Sequence, residues 1–329
     1  MSSSNFVVSS LPAYVQNNKD IIIKNFALVG TSTRRRIGIQ TGIKYKGYLN
    51  YLELAPTLQD GKGCGFEAAG TATLSQRTVE TAIIKVNMDV CPDSLIGKYA
   101  EYLVRINANA QDLPFEQYIM DGIVRELNKK IEKLIWQGDK SQTSDADIKW
   151  IDGFLEQFKD ENSSLAAYLV GGSALAHGTS AYNAILAVYM AMPEETLERG
   201  GIIFVSPALY REFLQDMVAK NYFHYSGPQD EAPDEFVFPG TDVKVVKTPG
   251  LAGTTLPTLV GTFADNLVYA CDAEGDLEDI KVWFSDDDDL FKIKVKWNTG
   301  VAYHFPNQVV MATIAASKTK AISTPIGTH

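Results

Sequence analysis

The stretch PFEQYIMDGIVRELNKKIEKLIWQ, residues 114–137, followed by Gly138, reads as one long helix. Pro114 suits the first helical position, where its fixed φ fits and its missing N–H is not needed. Phe115, Ile119, Ile123, Leu127, Ile131, Leu134 and Ile135 recur at helical spacing and form one apolar stripe. Glu116 and Asp121 lie early, and Lys129, Lys130 and Lys133 lie late, in the order that complements the helix macrodipole. Gly138 supplies the stop. At about 1.5 Å per residue the rod is about 35 Å long. A helix of that length with one apolar side braces a sheet.

Upstream of this helix, residues 46–90 read as a long two-stranded excursion. Tyr48–Leu54 has strand propensity. Thr78–Val90 is strand-like, with Ile84, Val86 and Met88 on one face. Between them, Asp60, Gly61, Lys62 and Gly63 are a turn signal and lack the spacing of a phosphate-binding loop. A lone hairpin is marginal in water, so this one needs another surface, and a second subunit is the natural source. Residues 1–45 alternate Ser and Asn with short apolar runs and read as an arm ordered by a neighbour or not at all. Within it, Arg34, Arg35 and Arg36 form a small basic cluster, either a solvated turn or a contact with an acidic neighbour.

Downstream, residues 165–220 have α/β character. Tyr182, Ile185, Leu186 and Tyr189 mark one helix, and Ile202–Val205 is a buried-type strand. Ser206 and Pro207 then read as an N-cap and first-turn proline. The last third is rich in strands. Phe291, Ile293, Val295 and Trp297 alternate with Lys292, Lys294 and Lys296, the period of a half-buried strand. Asp286–Asp289 lies between two strands as a hairpin tip, and Asn298-Thr299-Gly300 reads as another turn.

The chain of 329 residues carries 40 acidic and 30 basic residues, a formal charge of −10. This balance argues against a protein that wraps nucleic acid with clustered Lys and Arg. The first ten residues lack the pattern of a signal peptide, and the apolar runs are too short to span a bilayer, so no membrane role is expected. Cys64, Cys91 and Cys271 make no CxxC pair, and each reads as a buried thiol in a reducing compartment. His177, His224, His304 and His329 have no metal-ligand spacing, and no nucleotide, hydrolase or zinc motif occurs. No cofactor and no catalytic residue is therefore assigned. Asp286, Asp287, Asp288 and Asp289 form the densest charge cluster. They read as a solvated tip or as a hard-cation site, although the ligand alternation and glycine of an EF-hand are missing.

The order of these pieces resembles the HK97-fold major capsid proteins of tailed bacteriophages: an arm, an extended loop, a spine helix, an α/β lobe and a returning β-ribbon. Local stretches are similar too. Ile135-Trp136-Gln137-Gly138-Asp139 with Asp152-Gly153-Phe154-Leu155 resembles the family's helix end. Phe204–Tyr210 resembles its strand-to-helix step, Leu259–Phe263 its V-G-x-F strand, and Val282–Trp297 the strands around the loop that meets neighbours at three-fold positions.

The resemblance implies an α+β, HK97-like capsid fold. Residues 1–45 would be the N-terminal arm and 46–80 the extended loop. Residues 81–165 with 281–300 would form the peripheral domain, carrying the spine helix 114–137. Residues 166–280 with 301–329 would form the axial domain. It implies a virion shell protein, not an enzyme, made in the host cytoplasm. Copies would assemble into hexamers and pentamers around double-stranded DNA held without sequence-specific contacts. Asp60, Gly61, Lys62, Gly63, Arg34–Arg36 and Asp286–Asp289 would meet neighbouring subunits. Three acidic tips would converge, requiring a cation or neighbouring basic side chains. With a short arm, scaffolding would come from a separate protein; portal, decoration and head-tail proteins are the other implied partners. The family's best-known member cross-links a loop Lys to an Asn; Lys62 is present here, but Leu290–Lys296 holds no Asn, so no cross-link is expected. An encapsulin-type nanocompartment shell shares the fold, and a soluble α+β enzyme with an unrecognised site is the reading from another class.

Overall fold

The computed structural model describes residues 32–60, 69–91, 115–169, 180–220, 234–272, 279–285, 287–288 and 290–314. In chain order the strands are β1 (Gly38–Gln40), β2 (Lys46–Pro56), β3 (Gly70–Glu80), β4 (Ala82–Val90), β5 (Ala167–Leu169), β6 (Gly201–Val205), β7 (Glu235–Val237), β8 (Lys244–Lys247), β9 (Thr258–Phe263), β10 (Leu267–Ala270), β11 (Asp279–Ser285), β12 (Leu290–Tyr303) and β13 (Val310–Thr313). The helices are α1 (Phe115–Gln137), α2 (Phe154–Asp160), α3 (Ala181–Ala191), α4 (Glu194–Glu198) and α5 (Pro207–Ala219). Two compact units arise, Met1–Glu156 with Asp265–His304, and Gln157–Ala264 with Phe305–His329. The sequence reading placed 265–280 with the α/β lobe. In the structure β10 pairs with β1 and β12 and so joins the first unit.

The first unit is organised by β12. Its first half pairs antiparallel with β11 and β4, and its end pairs with β10. The alternation has the expected result: Phe291, Ile293, Val295 and Trp297 are buried, while Lys292, Lys294 and Lys296 are more exposed. Helix α1 covers this apolar face. A cavity of about 150 Å³ has Leu127, Ile131 and Leu134 on one side and Ile84, Val86 and Trp297 on the other. Ile123, Leu127, Ile131, Leu134 and Ile135 are all buried as the stripe requires. The basic residues of α1 serve a different purpose from the one expected. The last turn holds none; Lys130 and Lys133 instead hold Asp147 and Asp145 at 2.9 and 2.8 Å.

Two glycines end α1 back to back. A Cβ on Gly138 would lie 2.5 Å from the Ile151 carbonyl, and one on Gly153 would lie 2.7 Å from the Gly138 nitrogen. The Gly153 N–H donates to the Gly138 carbonyl at 2.9 Å. This close backbone approach explains the paired Gly-Asp and Asp-Gly steps, and the Trp136 ring closes the corner 5.3 Å from Phe154.

Three local expectations change. The single strand Thr78–Val90 is interrupted at Thr81, so the hairpin strand and the sheet strand are separate elements. The predicted turn Asn298-Thr299-Gly300 lies inside β12, for reasons given below. Cys271 is buried, but Cys91 is exposed, because it follows the last residue of β4; Cys64 lies outside the described residues.

The second unit is a sheet in the order β5-β13-β9-β6-β8-β7. Strands β6 and β8 run parallel, and β9 is antiparallel to both β6 and β13. Strand β6 is buried along its whole length, as its continuous apolar run implies. Helices α3 and α5 pack their buried faces, Ala184, Ile185 and Val188, and Leu209, Phe213 and Met217, into one cluster with Ile203, Val205, Val245 and Leu259. Leu186, assigned from sequence to the apolar face of α3, is 36% exposed. Gly261 accounts for the V-G-x-F pattern: a Cβ there would sit 2.8 Å from Val188 Cγ1, so the glycine lets α3 lie close on the sheet. Ser206 takes the N-cap position of α5, yet its side chain makes no cap hydrogen bond.

Candidate assembly surfaces

The basic cluster of the arm is drawn into the first unit. Arg34 is 1% exposed, which excludes a solvated turn for this residue; Arg35 remains exposed and Arg36 half-buried. The Arg34 guanidinium donates to Asn128 Oδ1 at 2.6 Å and lies 5.5 Å from the centre of the Tyr269 ring. Next to it, the buried Glu132 accepts from the Thr33 N–H at 3.1 Å and from the Thr33 hydroxyl. The Trp136 indole N–H donates to that same hydroxyl oxygen at 2.7 Å. Burial pushes the Glu132 carboxyl above its ordinary range, against the opposing pull of the Thr33 hydrogen bond and the Arg34 charge. This network fastens the end of the arm to the spine helix. The sequence signal for it was a buried-type acid, Glu132, inside the apolar stripe of α1.

The extended hairpin is regular and largely uncovered. Strands β2 and β3 pair from Lys46↔Glu80 to Pro56↔Gly70 without interruption. Among the described residues its base joins a core, where Leu49 and Val79 pack with Ile43, Val268, Ala270 and Ala302. Arg77 stacks 4.2 Å above the Tyr303 ring at the same end. Further out, register places Tyr48, Leu52, Leu54, Ala72 and Leu74 on one face, with Leu52 directly opposite Leu74. Leu52, Leu54 and Leu74 are 54%, 62% and 74% exposed. The polar pair Asn50 and Gln76 separates Tyr48 from this leucine patch on the same face; an exposed apolar patch on a strand pair is a template for association. Asp60 is exposed beyond it, and Gly61, Lys62 and Gly63 lie outside the described residues.

The root of the hairpin is locked by the residues expected as a turn. The buried Asn298 amide donates to the carbonyls of Ile43 and Lys44 at 2.6 and 2.9 Å, and lies 3.1 Å from the Thr81 hydroxyl. Two residues on, a Cβ at Gly300 would sit 2.4 Å from the Glu80 carbonyl. Asn and Gly therefore stand in mid-strand because one ties the incoming chain and the other lets the β3–β4 corner cross.

At the other end of β12, Asp286 and Asp289 lie outside the described residues, and Asp287 and Asp288 are exposed. Asp288 accepts from Lys292 and from the Ser285 hydroxyl, and these bonds hold its carboxyl below the usual range. His304 is the one described histidine; burial, then the nearby Arg77 charge, lower its pKa. Among the described residues no group of three or more His, Cys, Asp and Glu is placed to hold a metal ion. No helix among them is long and apolar enough to cross a membrane.

No family model matches the sequence, and no curated protein matches it. Solved structures do. One is a chain of the satellite phage P4 procapsid including the size determination (Sid) protein, 12% identical with a TM-score of 0.57 over 92% of this chain and 100% of that one. A chain from Gordonia phage Cozz is 11% identical, with a TM-score of 0.53 over 88% of each chain. One from Mycobacterium phage Adephagia is 12% identical, with a TM-score of 0.50 over 88% of this chain and 92% of that one. The likeness is one of fold and spans both units. The chain has the α+β fold of the phage capsid proteins, the HK97-like architecture that its sequence resembles.

Proposed function

We propose that this chain is a major capsid protein that assembles into the hexamers and pentamers of an icosahedral phage head enclosing double-stranded DNA. The observation that carries the reading is the extended hairpin: an 11-residue strand pair with an apolar face that its own chain leaves exposed. Burying one leucine of this kind on a neighbour contributes about 1.5–3 kcal/mol, and a closed shell repeats the contact in every subunit. The second unit would be the axial domain around capsomer axes, and the first unit the peripheral domain. Arg35, Asp60–Gly63 and Asp286–Asp289 would face other subunits. The charge of −10 suits a container that repels its genome and lets DNA slide during filling and release. The role is structural, with no reaction assigned. Scaffolding, portal and decoration proteins would be separate chains.

The test is expression with and without the neighbouring head genes, followed by electron microscopy and nuclease protection. Closed particles tens of nanometres across, filled with nuclease-resistant DNA in infected cells, are expected. Shells that hold a protein cargo and no genome would select the nanocompartment. A discrete small oligomer under every salt and scaffold condition would overturn the shell reading.

A further inference from the structure

Three buried side-chain oxygens without a hydrogen-bond partner gather where β1, β10 and β12 meet: Gln40 Oε1, Asp272 Oδ2 and Asn298 Oδ1. Register places their residues on one face. Gln40 stands beside Ala270, and Ala270 faces Gly300. Two residues from that row, on the same side of the sheet, come Asp272 and Asn298. The backbone closes around them. The Cys271 N–H donates to the Gln40 carbonyl at 3.0 Å, and the Ile43 N–H donates to the Cys271 carbonyl at 3.2 Å. Ile43 in turn accepts from the Asn298 amide at 2.6 Å. That bond and the one to the Lys44 carbonyl identify the nitrogen end of the amide, so its other atom is the oxygen. Asp272 is 2% exposed and Asn298 is 0% exposed. Buried polar atoms are nearly always paired, and a buried carboxylate without a counter-charge is the costliest kind. Among the described residues no basic side chain pairs with Asp272. Acceptors grouped without a donor call for a positive partner.

We infer that Gln40, Asp272 and Asn298 form a binding site for a hard cation, with Ca²⁺ the best match. One carboxyl and two amide oxygens are the donors that hard cations take, whereas softer metals seek Cys and His. Ca²⁺ accepts such a mixed set in flexible geometry and completes its shell with carbonyls or water; Mg²⁺ demands a near-octahedral arrangement. The set holds a single acid, so it falls outside the pattern of clustered His, Cys, Asp and Glu. A chain of charge −10 also draws cations toward it. The consequence is structural. Asn298 holds the root of the hairpin through its nitrogen and would hold the ion through its oxygen, so the ion would stiffen the start of the hairpin. All three residues belong to the first unit. The site therefore forms within one subunit and does not depend on the shell reading.

The test is thermal melting of the unassembled full chain, stripped with EDTA and then given Na⁺, Mg²⁺ or Ca²⁺ at matched ionic strength. Millimolar Ca²⁺ is expected to raise the melting temperature by about 3 °C or more over Na⁺ alone, and Mg²⁺ by less. Asp272→Asn keeps the shape and removes the charge. In EDTA it should melt no lower than the wild type, because the buried unpaired carboxylate is gone; in Ca²⁺ it should show no gain. Gln40→Leu should weaken Ca²⁺ binding at least about ten-fold in a calorimetric titration. Asp287→Asn, in the exposed acidic turn, should respond like the wild type. A wild type that melts alike in all three salts overturns the inference and leaves the oxygens to buried water. Stabilisation by acid without a Ca²⁺ response also overturns it and assigns them a shared proton. A Ca²⁺ gain that persists in Asp272→Asn overturns it too, since the ion would then bind elsewhere. If Asp272→Asn does not fold, the Ca²⁺ affinity of Gln40→Leu decides: wild-type affinity overturns the site.

Discussion

The Asn298 side-chain amide donates to the Ile43 carbonyl at 2.6 Å, a bond between residues 255 positions apart. It ties the strand that organises the first unit to the chain entering the extended hairpin. With the Lys44 carbonyl and Thr81 hydroxyl also in reach, one buried amide fixes where the hairpin starts and where it ends.

Asn298→Ala would leave the buried Ile43 carbonyl without this donor and remove the part-buried bond to Lys44. The buried carbonyl alone costs about 1–3 kcal/mol, read as a lower urea midpoint with little change in slope. Asn298→Asp should be at least as damaging, since a carboxylate oxygen would replace the donor facing those carbonyls.

Gly300→Ala and Gly138→Ala should each destabilise by more than about 2 kcal/mol, because the added methyl meets backbone and not a side chain that can move. Thermal unfolding of each variant checks this. At Gly122, where a Cβ meets nothing within 4 Å, alanine should be tolerated or stabilising by up to about 1 kcal/mol from helix propensity.

The Glu132 carboxyl predicts a pH dependence of definite sign. Its pKa is raised in the folded state from an ordinary 4.5. Between that value and the raised one the folded state holds a proton that the unfolded state has lost. Stability from this group therefore falls as pH rises through the window, by at most about 1.4 kcal/mol per pH unit. Below 4.5 both states are protonated and the dependence vanishes. Glu132→Gln keeps an acceptor for Thr33 and should flatten the curve of stability against pH above 4.5. An unchanged slope would show that Glu132 does not titrate in that window.

Much of this fold was legible because its signals are periodic. The seven-residue apolar stripe of α1 and the Lys alternation of β12 each fix an element and its buried face. The hairpin was legible as a strand pair that cannot pack on itself, because a lone hairpin is marginal in water; the exposure of Leu52, Leu54 and Leu74 is visible only in the structure. What was missed depends on long-range contact. Asn298 and Gly300 carry a turn-like composition, and only the crossing of residues 43–44 and 80–81 shows why they stand in a strand. Arg34 looked like a surface charge because its partners, Asn128 and Tyr269, lie far along the chain. The meeting of Gln40, Asp272 and Asn298 was equally invisible, since register is not written within one strand.

The exposed face of the hairpin gives a variant that separates folding from assembly. Leu52→Lys with Leu74→Glu changes side chains that are 54% and 74% exposed and sets opposite charges across the strand pair. Subunit stability should stay within about 0.5 kcal/mol of wild type, while a surface that must be buried between copies would acquire two charges.

The most direct measurement is sedimentation velocity of the wild-type chain and this double variant under assembly conditions. The account predicts capsomers or closed shells for the wild type, and folded subunits that fail to assemble for the variant. A wild type that stays a small oligomer, or a variant that forms the same particles, would contradict it.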